Sequence, residues 1–326
     1  MIDFSIVIPS FNKMTFISET IDCVLNQSYA NWELIIVDDG SSDDSIQIIN
    51  TYSLFDKRIK LIVRKNLPKG GSNCRNIGLQ EAKGKFILFL DADDILTAVC
   101  LEERLQSIMQ YEESNFWVFP IGTFYKKKGD SASVWLPKGS DFLNRFLTHD
   151  LPWHTMSVIW KREFIEKLKG FDVDYPRLQD VELHTRALLN AGINIKTFPN
   201  NKIDAFYRID EKRTNQNLEE LLNRQKLGVF MYLEKVQLIL VKDKQRRAIK
   251  GTLFSLITAI NYNCFVKDSE VDLQENIFNE TIEFMENKAL FSRKDVLYIK
   301  IYNFLYKKGL RSVKGFNFSF KYLFCK

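Results

Sequence analysis

A run of large apolar residues that ends directly in acidic side chains is the feature that most limits how this chain can fold. Residues 86–90 are all apolar, and Asp91, Asp93 and Asp94 follow them. Such a run suits a strand that is buried on both faces, as in a parallel sheet. Open parallel sheets place their binding sites at the carboxyl ends of their strands. The sequence therefore predicts a site at Asp91–Asp94.

The closely spaced carboxylates at this strand end have two interpretations. Like charges this close repel each other unless a cation joins them. Mg²⁺ and Mn²⁺ prefer oxygen ligands and usually hold substrate phosphates as well. Taken alone, however, the pattern fits equally well a solvated Asp-rich turn that caps the next helix.

The first ninety residues repeat one unit, a strand followed by a helix. Apolar runs predict strands at residues 4–8, 32–37, 59–63 and 86–90. Helical spacing of apolar residues predicts helices between them, the third over residues 71–82. Strands that alternate with short helices imply right-handed crossovers and an α/β fold with a doubly wound, mostly parallel sheet.

The pattern changes along the rest of the chain. Residues 101–210 mix a predicted strand at 116–121 with helices near 142–147, 161–168 and 180–190, and from Leu218 onward helical spacing dominates. We therefore predict an α/β domain at 1–215 and a helical C-terminal domain at 216–326.

Basic residues concentrate near the end of the chain. The net charge is +5, but residues 288–326 hold ten Lys or Arg and one acidic residue, interleaved with aromatic residues. This composition suits an anionic membrane surface. Packing on the protein and a contact in a homo-oligomer are the alternatives. Single-stranded nucleic acid is also bound by stacking plus charge, but no RNA-binding signature is present, so we predict no nucleic-acid partner.

Composition and the first residues indicate a cytoplasmic protein. No apolar run approaches the ~18 residues of a spanning helix, and Met1-Ile2-Asp3 lacks the basic start of a signal peptide. The five cysteines include no CxxC pair, which is typical of free thiols in a reducing compartment.

Polar residues follow each of the other predicted strands as well. The turn at residues 9–12 has no glycine, which argues against a dinucleotide-binding loop. Asp38 and Asp39 follow the second strand, and either carboxylate can accept hydrogen bonds from a base or a ribose. Arg75 enters the third helix behind two glycines and offers a planar set of donors. Because this recurs at successive crossovers, a single site is the better interpretation.

Five short segments, taken in order, resemble glycosyltransferase family 2, which has the GT-A fold. They are Ser5-Ile-Val-Ile-Pro-Ser-Phe-Asn12, Val37-Asp-Asp-Gly-Ser-Ser-Asp43, Cys74-Arg-Asn-Ile-Gly78, Phe89-Leu-Asp-Ala-Asp-Asp94, and Gly170-Phe-Asp172 with Gln179-Asp180. The resemblance covers residues 1–215 and does not extend over the helical end of the chain. It implies that 1–215 is a catalytic domain, in which 1–98 binds the nucleotide and 99–215 the acceptor.

The resemblance implies roles for residues in the nucleotide half. Asp39 would read the nucleobase, and Arg75 would lie against the base or the diphosphate. The base and ribose pocket would be lined by Pro9, Ser10 and Asn12. The segment Asp91-Ala92-Asp93 matches the family's DXD motif: Asp91 and Ala92 would contact the nucleotide sugar, and Asp93, with Asp91 as a second candidate, would ligate Mn²⁺ or Mg²⁺.

On the acceptor side, the resemblance implies that Asp180 is the catalytic base of an inverting transfer. The alternative for Asp180 is an ordinary helix N-cap. Gln179 stands where the family usually has an acid, and Asp210 stands where it often has a histidine that approaches the metal. His154 and His184 are candidates for acceptor contacts, and a structural role for His154 is an equal alternative.

The expected activity is that of a hexosyl- or N-acetylhexosaminyl-transferase that uses a nucleotide sugar, most simply a UDP-sugar. The acceptor would be a glycan or lipid-linked glycan of polysaccharide biosynthesis, met at the inner face of the membrane by a peripheral protein. One alternative is a catalytically silent nucleotide-binding subunit of a glycan-assembly complex. A sugar-phosphate nucleotidyltransferase is disfavoured, because residues 9–13 lack the Gly-rich, Arg-bearing loop such enzymes use.

Overall fold

The computed structural model describes residues 2–65, 67–209, 217–267 and 270–326. These residues divide into two compact units. The first unit comprises the described residues of Met1–Ser140, Pro152–Val173 and Ala187–Thr214, and the second those of Asp141–Leu151, Asp174–Arg186 and Asn215–Lys326. Two internal segments thus group with the C-terminal helices, and the predicted domains 1–215 and 216–326, with their 1–98 and 99–215 halves, stay a prediction.

The first unit contains a seven-stranded sheet. In spatial order its strands are β10 (Ile195–Thr197), β6 (Phe116–Val118), β9 (Val158–Lys161), β4 (Phe86–Phe89), β1 (Phe4–Ser10), β2 (Trp32–Asp38) and β3 (Ile59–Val63). Strand β1 runs parallel to β2 and β4, β2 to β3, and β6 to β10, whereas β9 is antiparallel to both of its neighbours. The predicted α/β fold with a mostly parallel, doubly wound sheet is confirmed.

The central strands are buried on both faces, as their sequence predicts. All four residues of β4 and nearly all of β1 and β2 are buried. The helices of this unit are α1 (Ile17–Leu25), α2 (Ser45–Phe55), α3 (Gly71–Glu81), α4 (Cys100–Ile108) and α6 (Arg162–Lys167). Because successive side chains of a strand point to opposite faces, continuous burial requires cover on both sides.

A second, four-stranded sheet in the first unit was not predicted from the sequence. Its spatial order is β5 (Ile95–Leu96), β11 (Ala205–Arg208), β7 (Ile121–Phe124) and β8 (Val134–Trp135). The single strand expected at 116–121 is two strands, β6 and β7, and they belong to different sheets. The chain leaves the first sheet at Pro120, which has no N–H to continue the ladder.

The second unit is helical, which confirms the predicted helical C-terminal region. Its helices are α5 (Phe142–Leu147), most of α7 (Gln179–Leu188), α8 (Leu218–Gln237), α9 (Asp243–Ala248), α10 (Lys250–Tyr262), α11 (Val271–Asn287), α12 (Arg293–Lys307) and α13 (Phe316–Phe324). A capping box precedes α12, since Ser292 and Asp295 exchange side-chain to backbone hydrogen bonds. Within the described ranges, no helix has both the length and the apolar content that crossing a bilayer requires.

The aromatic residues of the basic tail divide into two sets. Phe316 stacks on Tyr302 with ring centroids 5.4 Å apart, and Phe324 lies 6.0 Å from Phe254 of α10. In contrast, Phe318 and Tyr322 of α13 are 75% and 58% exposed. The first set therefore serves packing within the second unit, while the second set is left on its surface.

Helix α3 lies against β1 through a residue without a side chain. A Cβ placed on Gly78 would sit only 2.2 Å from Cγ1 of the buried Val7. Real Cβ atoms do not approach this closely, so the helix can reach the strand only with glycine here. The contact matters for function because α3 carries Arg75 and β1 leads into residues 9–13.

We expect Gly78→Ala to lower the free energy of unfolding by about 1–3 kcal/mol, since overpacking outweighs the gain of about 1 kcal/mol in helix propensity. Val7→Ala alone should also destabilise the chain, because it opens a cavity. In the double variant the added methyl fills that space, so the two losses should not add. Urea unfolding of the four proteins measures this, and strictly additive losses would show that the two residues are not in contact.

Candidate active site

The carboxyl ends of β4, β1 and β2 lie side by side in the sheet, and their following loops form the candidate site in the first unit. The Asp39 N–H donates to the Ser10 carbonyl over 2.8 Å. Asn12 has a left-handed backbone (φ 51°), and its Oδ1 accepts from the Ser42 N–H at 2.8 Å. The Asn12 N–H also donates to Ser41 Oγ at 2.8 Å. Asn12 therefore ties the first loop to the second, and its predicted contact with a nucleotide stays a prediction.

Asp39 is buried and held by two donors. Its carboxylate accepts from Arg64 Nη1 and from the Gly70 N–H, each over 2.6 Å. Gly70 has φ 137°, a conformation that side chains other than hydrogen rarely allow. A carboxylate offers about four acceptor positions, so Asp39 retains acceptor capacity beyond these two contacts.

Arg75 pairs with the first carboxylate of the predicted motif. Its Nη2 donates to Asp91 Oδ1 over 2.5 Å, and its guanidinium lies 5.4 Å from the ring centroid of Phe171. The Arg75 side chain is buried, and within the described residues its Nε has no hydrogen-bond partner. The same is true of the buried hydroxyl of Ser10. Both atoms are therefore available to a polar ligand.

The segment that places Phe171 against Arg75 is held by Asn76. The Asn76 amide donates to the Phe171 carbonyl and accepts from the Phe171 N–H, each over 2.8 Å. The close approach depends on Gly170, which has φ 64° and where a Cβ would lie 2.4 Å from Asn76 Oδ1. Two segments far apart in sequence, 74–78 and 170–172, thus form one support for Arg75.

The two later carboxylates of the acidic segment have different surroundings. Asp93 is buried, and its Oδ2 contacts Lys13 Nζ at 2.5 Å. Asp94 is fully buried, with its Oδ1 accepting from the Arg208 N–H at 2.8 Å. Arg208 also donates from Nε to the Asp93 carbonyl at 2.8 Å and pairs with Glu19. Asp94 therefore joins the acidic segment to β11, while Asp93 lies at the first loop.

Other predicted residues have mainly apolar surroundings. The Ala92 side chain belongs to the hydrophobic core of the first unit, so only its backbone remains for the ligand contact predicted for it. His154 lies in an aromatic cluster, with ring centroids 5.6 Å from Trp135 and 4.9 Å from Tyr207. Its role in acceptor binding stays a prediction. Asp210, the third metal candidate, lies outside the described residues.

Asp180 belongs to the second unit, at the beginning of α7. The helix starts at Gln179, so Asp180 is its second residue rather than the N-cap. Both residues are partly exposed, and Asp180 Oδ1 accepts from the Val181 N–H at 2.9 Å. One turn later, His184 is buried and stacks on Phe146 at 5.2 Å. The roles predicted for Gln179, Asp180 and His184 stay predictions.

His149, in the same unit, has a strongly altered proton affinity. Burial, together with the nearby charge of Lys321, lowers the pKa of its imidazole from 6.5 to about 4, and the charge of Asp180 opposes this shift. Its backbone is left-handed (φ 56°). Because its neutral form is favoured near neutral pH, His149 adds no positive charge close to Asp180.

Comparison with known proteins places this site in a family. The family model described as "Glycosyl transferase family 2" matches residues 5–167, half of the chain. The chain belongs to glycosyl transferase family 2.

Two similar proteins are also glycosyltransferases by name. An uncharacterized glycosyltransferase of Haemophilus influenzae is 38% identical over 168 residues, which cover 51% of this chain and 64% of that protein. An Escherichia coli protein, UDP-Glc:alpha-D-GlcNAc-diphosphoundecaprenol beta-1,3-glucosyltransferase WfgD, is 43% identical over 106 residues, covering 32% of this chain and 41% of that one. The chain thus spans less than two thirds of the length of these relatives.

The fold comparison extends further along the chain. The crystal structure of Staphylococcus aureus TarS 1–349 in complex with UDP-GlcNAc has a TM-score of 0.67 to this chain at 19% sequence identity. The match covers 92% of this chain and 88% of that one. This similarity confirms the GT-A-type fold.

The carboxylate oxygen atoms that follow β4 are candidate ligands for a divalent cation. Among the described residues, no group of three or more His, Cys, Asp or Glu side chains is arranged to hold a metal ion. Asp91 and Asp93 offer hard oxygen ligands, and Mg²⁺ is usually bound by one or two carboxylates together with substrate phosphates. The donor set therefore fits an ion shared with a diphosphate. Such an ion would replace the contacts of Asp91 with Arg75 and of Asp93 with Lys13.

Sequence reasoning missed three basic residues of this site. Arg64 directly follows β3, so the residue after that strand was a signal that could have identified it. Lys13 directly follows Asn12, so including one more residue in the first loop would have identified it. Arg208 lies on β11 of the second sheet, two residues before Asp210, so the family match at Asp210 was a signal that could have identified it.

The pKa of His149 predicts how stability depends on pH. Below about pH 6.5 the unfolded chain binds a proton at this residue, whereas the folded chain binds it only near pH 4. The free energy of unfolding should therefore fall as the pH drops from 6.5 to 4, and His149 should contribute about 1–3 kcal/mol of that loss. In His149→Asn, which tolerates positive φ, the loss should be smaller by that amount. Urea unfolding across this pH range measures it, and identical pH profiles would contradict the account.

Proposed function

We propose that the chain is an inverting glycosyltransferase that moves a sugar from a UDP-sugar to a hydroxyl of a glycan or lipid-linked glycan. The observation that supports this most is the gathering of Asp39, Arg75, Asp91 and Asp93 at one edge of a GT-A-type sheet. Hexosyl- or N-acetylhexosaminyl-transfer in polysaccharide biosynthesis is the corresponding role. WfgD, whose name states a UDP-sugar donor and a lipid diphosphate acceptor, and TarS bound to UDP-GlcNAc agree with this choice.

The nucleotide would occupy the loops after β1, β2 and β3. Asp39 retains acceptor positions for a base N–H, and the contact with Arg64 fixes the orientation of its carboxylate. The free Ser10 hydroxyl and Arg75 Nε supply donors for ribose or phosphate oxygens. Each of these atoms is buried, so a ligand that satisfied them would remove an existing desolvation cost.

The diphosphate would lie among the paired acidic and basic side chains of the site, Asp91 with Arg75 and Asp93 with Lys13. Mn²⁺ or Mg²⁺, held by Asp93 with Asp91, would offset charge on the departing nucleoside diphosphate. Arg75 and Lys13 carry positive charge at the same place and can turn from the carboxylates to phosphate oxygens. The chain's own cations therefore contribute to leaving-group stabilisation whichever ion is bound.

The acceptor hydroxyl needs a base, because it is a poor nucleophile near neutral pH. We assign this role to Asp180, which is partly exposed and carries its carboxylate at the start of α7. A single displacement, in which a base takes the proton of the acceptor hydroxyl, would invert the configuration at the anomeric carbon. Peripheral association with the inner face of a membrane, through residues 288–326, would bring the enzyme to a lipid-linked acceptor.

The direct test is UDP release from a panel of UDP-sugars with Mn²⁺, with mass and NMR analysis of the product. We expect wild-type turnover with inverted configuration, and a fall in kcat of about 10²–10⁴ for Asp180→Asn, the range typical of a general base. Asp93→Ala should lose activity and its response to Mn²⁺.

A matched control is Asp243→Asn, since Asp243 is exposed on α9 and lies apart from Asp180 in the sequence. It should transfer sugar as the wild type does. Binding of UDP without transfer to any acceptor would instead favour a silent nucleotide-binding subunit. Normal turnover by both the Asp93 and the Asp180 variants would reject the assigned mechanism.

A further inference from the structure

The second unit contains an open pocket of about 810 Å³, formed by α9, α13 and the residues that follow α5. Four basic side chains line it: Lys244, Arg247, Lys321 and Lys326. The acidic residue in the lining is Asp150. The pocket is thus a concave surface with a strong excess of positive charge.

Existing ion pairs leave most of this charge uncompensated. Asp150 pairs with Arg145 over 2.8 Å, and Lys244 lies 3.3 Å from Asp141. Within the described residues, Arg247 and Lys326 make no ion pair with an acidic side chain. Lys321 is partly buried, with its Nζ donating to Ser255 Oγ over 2.8 Å. Burial lowers the pKa of Lys321, so an anion placed beside it would stabilise its charged form.

Exposed aromatic rings lie beside these cations. Phe318 and Tyr322, one helical turn apart on α13, are 75% and 58% exposed and line the same pocket. Lys326 Nζ lies 5.7 Å from the centroid of the Tyr322 ring. Large apolar side chains left exposed around a pocket are typical of a binding site for an apolar group. The pocket therefore suits a ligand with an anionic end and an apolar part.

The pocket is also within electrostatic range of the proposed base. His149 lines it, and the charge of Asp180 acts on the His149 imidazole. Within the described residues, the buried Nδ1 of His149 has no hydrogen-bond partner. A ligand in the pocket would thus lie beside His149, on whose imidazole the charge of Asp180 acts.

We propose that this pocket binds a phosphate ester of an apolar alcohol, with the phosphate against Arg247, Lys321 and Lys326 and the apolar chain along Phe318 and Tyr322. Guanidinium and ammonium groups are the side chains that bind phosphate best. This inference rests on the proposed function, because it gives the lipid-linked acceptor a chemical class and a place to bind.

The test measures binding without turnover. The full chain, with saturating UDP to fill the donor site and no divalent ion, is titrated calorimetrically with farnesyl phosphate and, separately, with inorganic phosphate. Farnesyl phosphate should bind at least about tenfold more tightly, because inorganic phosphate lacks the apolar contact. The double variant Arg247→Glu/Lys326→Glu should weaken farnesyl phosphate binding by about tenfold or more.

The matched control is Lys308→Glu/Lys314→Glu. It changes the net charge equally, and both residues are exposed near the C-terminus without lining the pocket. Its affinity should equal that of the wild type. Circular dichroism and the melting temperature establish whether each variant folds. If Arg247→Glu/Lys326→Glu does not fold, the double variant Arg247→Gln/Lys326→Gln replaces it.

Three results would overturn the proposal: equal affinity for the two phosphates, equal losses in the pocket and control variants, or binding that the pocket variant leaves unchanged. A parallel arm uses phosphatidylglycerol vesicles. Vesicle binding that both double variants reduce equally, without farnesyl phosphate binding, would show a general attraction of the basic tail to membranes. Because no sugar is transferred in these assays, their failure leaves the UDP-sugar test untouched, and the reverse is also true.

Discussion

Carboxylates that are buried or partly buried at the edge of a sheet need a cation, and this need organises the candidate site. Asp39, Asp91 and Asp93 are paired with Arg64, Arg75 and Lys13 at 2.5–2.6 Å. Removing one partner from a buried ion pair typically costs about 3–5 kcal/mol. The site can therefore be assembled before any ligand binds, and a diphosphate with its ion can enter by exchanging partners with charges already in place.

The supports of these pairs come from distant parts of the chain. Asn76 and Gly170 hold Phe171 against Arg75, and Arg208 from the second sheet holds the backbone of Asp93. Each segment on its own reads as an ordinary turn or helix start. In this chain, each of these short segments supplies one side of a contact whose other side lies in another segment.

The pattern of apolar residues and the composition predicted the parallel sheet, because few other structures bury a continuous apolar run such as residues 86–90. The same logic located Asp39, Asp91 and Asp93 at strand ends and Arg75 in the helix that follows β3. It could not find the second sheet, whose two- to four-residue strands are too short for a periodic signal. It also missed Arg64, although the position directly after β3 was a signal for it, and Lys13, because the charge of a loop residue does not reveal which buried carboxylate it will contact. The grouping of residues 141–151 and 174–186 with the C-terminal helices depends on tertiary contacts that no local pattern records.

The central claim is that these ion pairs form a nucleotide-diphosphate site, and a crystal structure of the chain with UDP and Mn²⁺ tests it most directly. The account predicts uracil hydrogen-bonded to Asp39, Mn²⁺ on Asp93 and the diphosphate, and Lys13 moved from Asp93 toward the phosphates. UDP bound away from the ends of β1 and β2, or Mn²⁺ bound while the Lys13–Asp93 pair stays intact, would contradict it.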